Sequence, residues 1–174
     1  MRIAIGEAES NHVTWALRNP LYKLLIGVLV ATVFLVALLL PSPTPARWRA
    51  IGLVVAGALA IAAILTLTTP LVDEGHLERL PDGGSLERIR TWPVIAPRTV
   101  LQLPLDRVAA FEVETAAFED APPTTLTLAR LQVRDVDGAT LFLTEWAEPA
   151  SVLALGEALA KAGRRELTRL SPVV

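Results

Sequence analysis

The 174-residue sequence contains no cysteine, two histidines, one methionine and one tyrosine, and only 5% of its residues are aromatic. Without cysteine there is no disulfide, no thiolate nucleophile and no Cys-based zinc or iron–sulfur centre. The two histidines, His12 and His76, lie on opposite sides of the most apolar stretch in sequence, and neither has a ligand pair beside it at metal spacing. A net charge of -2 gives no reason to expect nucleic acid, whose readers usually carry a basic face. Phosphate-cradle chemistry is missing too, because Gly83-Gly84 is followed by neither a lysine nor a helix start. Glu112 and Glu114 fall on one face of a predicted strand, a placement that acid–base work and a solvated strand face share. With no nucleophile and base at catalytic spacing, the chain reads as a non-enzyme that calls for no cofactor and no metal.

What the chain has instead is apolar length. Hydrophobic residues make up 52% and mean hydropathy is +0.48, yet 20% of residues are charged and these are dense only after Asp73. From Leu24 to Leu40 no side chain is charged and Thr32 alone is polar. At about 1.5 Å per residue this block nearly crosses a hydrocarbon layer of roughly 30 Å. Its 13 Leu, Ile, Val and Phe residues favour insertion by about 4 to 8 kcal/mol. The second block, Ala50 to Leu67, holds nine and gains roughly 3 to 5 kcal/mol. The sequence therefore predicts a transmembrane hairpin over 21–69, with helices over 21–40 and 49–68. Gly52, Ala56 and Ala60 recur every four residues, with Gly27 and Ala31 at the same spacing in the first helix. Such a ridge lets a second helix approach closely, and it is read as the helix-packing surface; alanine that merely fills lipid-facing positions gives the same spacing.

Residues 1–20 read as an N-terminal tail rather than a secretory leader, since they include Glu7 and Glu9 and precede too long an apolar block. Asn19-Pro20 suits a helix start. Trp15, Tyr22 and Lys23 are expected at one interface and Trp48 and Arg49 at the other, with Asn11 to Arg18 either a short interfacial helix or a flexible tail. Arg2, Arg18 and Lys23 outnumber Arg47 and Arg49 of the connection. That balance favours both termini in the cytoplasm.

After Pro70 the pattern alternates, and 70–174 reads as a water-facing domain. Expected strands are His76 to Leu80 and Leu86 to Trp92 around a Pro81–Gly84 turn, then Val100 to Leu103 and Val108 to Thr115. Pro122-Pro123 ends that region. Leu126, Leu128, Leu131 and Val133 change parity, which predicts a bulge. Asp137-Gly138 makes a hairpin turn towards Leu141 to Leu143. Val152, Leu155, Leu159 and Ala162 recur at helical spacing, which predicts an amphipathic helix over 149–163 with Gly163 as its C-cap. About six antiparallel strands closed by one helix make a partial barrel.

This layout resembles small bacterial membrane proteins in which a two-helix hairpin carries a pleckstrin-homology-like β domain. More narrowly, Glu87-Arg88-Ile89-Arg90-Thr91-Trp92-Pro93, the run Arg98 to Val108, and Phe111-Glu112-Val113-Glu114 are similar in order and character to the photosystem I assembly protein family. Leu141-Phe142-Leu143-Thr144 before an Ala-Leu helix continues the similarity. The resemblance implies a scaffold that supports assembly of a larger membrane complex, with the lipid bilayer and other integral subunits as partners. An alternative rests on Arg88, Arg90, Trp92 and Arg98, a basic-aromatic patch suited to anionic lipid headgroups or an acidic partner.

Overall fold

The computed structural model describes residues 2–19, 21–41, 46–119 and 125–170. Pro20, Pro43, Pro45 and the Pro122-Pro123 break lie outside the described residues. The N-terminal segment is neither tail nor interfacial helix: Ile3–Ala8 (β1) and His12–Arg18 (β2) are strands paired antiparallel. Val13, Trp15 and Leu17 alternate with more exposed neighbours, and all three are buried core residues. Trp15, expected at the membrane interface, instead lies against Gly75, where a Cβ would sit 2.0 Å from the indole Cζ2. Only glycine lets the ring approach that closely.

Two long apolar helices follow, Leu21–Leu39 (α1) and Arg47–Thr68 (α2), within two residues of the expected ends. Both are long and apolar enough to cross a membrane. The chain then returns as Val72–Leu80 (β3), which pairs with β2 from Arg18↔Val72 to His12↔Glu78. The hairpin is thus an insertion between two neighbouring strands of one sheet, not a segment preceding the β domain.

The chain forms two compact units, one from residues 1–18, 72–90 and 97–174, the other from 19–71 and 91–96. In the helical unit α1 and α2 pack on each other. Half-buried positions recur at Leu25, Val28, Thr32, Val36 and Leu39 in α1 and at Ala50, Val54, Ala58, Ala62 and Leu65 in α2. This is a helical seam to which α2 contributes the small residues Ala50, Ala58 and Ala62 and α1 larger ones. It corrects the sequence expectation within the hairpin: Gly27, Ala31, Gly52, Ala56 and Ala60 are all exposed. A Cβ on Gly27 or Gly52 would meet nothing within 4 Å.

In the β unit, β3 continues through a turn at Pro81-Asp82 into Gly83–Thr91 (β4), and Gly83 adopts φ 147, which glycine alone takes without strain. Arg98–Pro104 (β5) completes a five-stranded sheet in the order β1-β2-β3-β4-β5. A 3-10 turn, Leu105–Arg107, leads to Val108–Glu119 (β6), Thr125–Asp135 (β7) and Thr140–Phe142 (β8). The helix Pro149–Gly163 (α3) has the expected bounds and is followed by Glu166–Arg169 (β9), which pairs parallel with β6. The second sheet runs β8-β7-β6-β9. The two sheets are separate rather than closed into a barrel.

The apolar stripe of α3, Val152, Leu155, Leu159 and Ala162, is fully buried between the sheets, in one cluster with Val13, Trp15 and Leu77 on one side and Phe111, Leu131 and Val133 on the other. Gly163 is the last helical residue, and the left-handed cap falls on Arg164 at φ 52. No bulge interrupts β7: its pairing with β6 is regular from Ala110↔Arg134 onward, with the irregularity at Val108/Ala110. The parity change has another cause. Leu131 and Val133 face α3, whereas Leu126 is half exposed on the opposite face, paired with Phe118.

Candidate functional site

Strand alternation puts Leu86, Arg88 and Arg90 on one face of β4, the inner one, so Arg88 enters the domain with the apolar residues. A buried guanidinium needs a partner, and Asp73, the second residue of β3, supplies it. Arg88 Nε donates to Asp73 Oδ1 at 2.8 Å, its Nη2 donates to Oδ2, and Nη1 donates to the Phe142 carbonyl at 2.7 Å. Arg90 Nε donates to Asp73 Oδ2 at 3.0 Å, and both arginines reach Glu145. The Arg88 and Asp73 side chains are 6% and 8% exposed, that of Glu145 58%. Two arginines and two carboxylates thus bridge the two sheets with balanced charge.

That balance changes the role expected of the basic-aromatic patch. Arg88 is committed to Asp73 and Arg90 is shared between Asp73 and Glu145, so neither offers a free fork to a ligand. Arg98 is exposed at the start of β5, and Trp92 belongs to the helical unit. Sequence reasoning gave neither Asp73 nor Glu145 a role at this site. Its single available signal was charge at alternating strand positions facing inward.

The outer face of the second sheet carries a ladder of a similar kind. Glu112 is bonded by Gln132 Nε2 at 3.0 Å and paired with Arg134 at 2.8 Å, and Arg130 Nε donates to Glu114 at 2.6 Å. Glu112 and Glu114 do share a face, and both are held by cations. The Arg130 guanidinium also lies 4.0 Å from the Phe142 ring centroid and 4.6 Å from that of Trp146, and Trp146 meets Phe118 edge-on at 5.3 Å. His76 Nε2 lies 3.4 Å from Glu87, and His12 Nε2 4.0 Å from Glu7. Among the described residues no three His, Asp or Glu side chains group as metal ligands would. What these clusters do is brace strands and orient side chains.

No protein-family model matches the chain, and a search of curated proteins found no similar one.

Proposed function

We propose that this chain is a non-enzymatic integral membrane scaffold, an accessory subunit or assembly factor that docks other transmembrane subunits through its hairpin and presents its β domain to a partner. The observation that carries the reading is the outward ridge. Gly27, Ala31, Gly52, Ala56 and Ala60 are left open while the hairpin closes on a different face. In lipid, where apolar side chains gain nothing by leaving the tails, close backbone approach along small residues is a main source of helix association. The similarity of the stretch from Glu87 to Glu114 to photosystem I assembly proteins supports a photosynthetic complex as the first to examine. Because Arg18 pairs with Val72, two crossings return the chain to the side it left, which supports both termini on one side, the cytoplasmic one by arginine and lysine count.

The test is mild-detergent purification of the tagged full chain from its native membrane, with co-purifying subunits identified by mass spectrometry. Gly52→Leu with Ala56→Leu is expected to cut recovery of integral partners several-fold while the protein itself still accumulates. Equal recovery from wild type and variant would remove the helix-docking reading.

A further inference from the structure

At the ends of β2 and β3 farthest from the helices, two adjoining cavities of about 250 and 320 Å³ share Arg79, Leu80, Pro81 and Arg164 as walls. Arg165 and Asp106 line the first. Two side-chain nitrogens among the described residues are buried without an acceptor, and both belong here: Arg79 Nη1 and Arg165 Nε. Arg165 spends Nη2 on the Leu105 carbonyl at 2.8 Å, and the Arg79 side chain has no bond among the described residues. A buried guanidinium donor left unpaired is costly, and arginine's planar fork suits an oxyanion. The third arginine adds a second oddity. Arg164 is the one described non-glycine residue at positive φ, a conformation a glycine would hold without strain.

Two features oppose an anion. Asp106 is on the wall, and the C-terminus of α3 lends about half a negative charge. Two of the helix's terminal carbonyls are capped by backbone N–H groups, Ala160 by Arg165 at 3.0 Å and Lys161 by Arg164 at 3.4 Å, which reduces that charge. Three guanidinium charges outweigh what remains.

We infer that this pocket is a binding site for a free oxyanion of the phosphate class, held by Arg79, Arg164 and Arg165. Arg79, Arg164 and Arg165 all line the cavity, so the anion meets guanidinium donors from three side chains, and the strained cap keeps Arg164 at the rim. This site is independent of the docking ridge and stands whether or not the hairpin has a partner.

Calorimetric titration of the detergent-solubilised full chain with inorganic phosphate, at constant ionic strength against chloride, tests it. Saturable binding is expected, weakened about tenfold or more by Arg79→Gln and by Arg165→Gln, and unchanged by Arg2→Gln, which removes an exposed cation paired with Glu148. Arg164→Gly is the sharper variant. It relieves the cap, so the melting temperature rises, yet phosphate affinity falls; a purely structural arginine gives the first effect without the second. Should Arg79→Gln fail to fold, Arg164→Gly decides alone. No saturable binding by the wild type, or equal affinity in Arg164→Gly, overturns the proposal.

Discussion

At the scale of single residues, the cluster around Arg88 has an asymmetry that can be measured. Asp73 holds two guanidinium groups, so losing Arg90 or Arg88 still leaves the carboxylate one cation. Losing Asp73 leaves the buried Arg88 with the Phe142 carbonyl and a 3.4 Å contact to Glu145, itself largely exposed. Stripping the partner from a buried charge typically costs about 3 to 5 kcal/mol. Asp73→Ala is therefore expected to lose that much in denaturant unfolding of the full chain, and Arg90→Ala distinctly less. Replacing Asp73 and Arg88 together by leucine and methionine should recover part of the loss, because no uncompensated charge remains. Equal losses from Asp73→Ala and Arg90→Ala would mean that the carboxylate is not the hub. The same residues explain why the cluster was hidden in the sequence. Arg88 meets Asp73 across 15 positions and Glu145 across 57, and only strand pairing brings them together.

At the scale of elements, periodicity located the helices almost to the residue but not their faces. Small residues are so frequent in α2 that two four-residue ladders coexist, Gly52-Ala56-Ala60 and Ala50-Val54-Ala58-Ala62. They are offset by two residues, about 200° around the helix. Spacing alone does not say which ladder meets α1. The structure assigns the second, and the two make opposite predictions. Ala58→Leu with Ala62→Leu overpacks the seam, at about 1 to 3 kcal/mol, and should lower the melting temperature followed by helical circular dichroism. Gly52→Leu projects into open space and should leave it unchanged. If Gly52→Leu melts lower and the alanine pair does not, the seam assignment is inverted. In the strands, the legible part was the alternation from β3 to β6 and the Asp137-Gly138 turn, where Asp135 Oδ1 accepts from the N–H groups of Asp137 at 2.9 Å and Ala139 at 2.8 Å. The illegible part was β2. His12 to Arg18 alternates correctly for a strand, but Trp15 so close to an apolar block also suits a membrane interface, and nothing local separates those readings.

At the scale of the whole molecule, the decisive feature is that β1 and β2 complete a sheet whose remaining strands lie beyond the hairpin. A fragment beginning at Leu71 would lack Val13, Trp15 and Leu17 and uncover Leu77, which is fully buried beside them. It is expected to aggregate. The complementary excision should succeed. Arg18 pairs with Val72, and the Asn19 N–H bonds the Leu71 carbonyl at 3.1 Å, so the ladder already closes where the helices leave it. Replacing residues 20–70 with a short Asn-Gly turn, whose backbone twist matches antiparallel strands, converts the interrupted pair into an ordinary β-hairpin. The product should be monodisperse in buffer without detergent, with a cooperative melt and β-rich circular dichroism, while the 71–174 fragment shows neither. Were both equally well folded, the N-terminal strands would be dispensable and the hairpin would be a leading anchor after all. Were only the excised chain to fold, the helices would be an insertion into a domain whose sheet is whole without them.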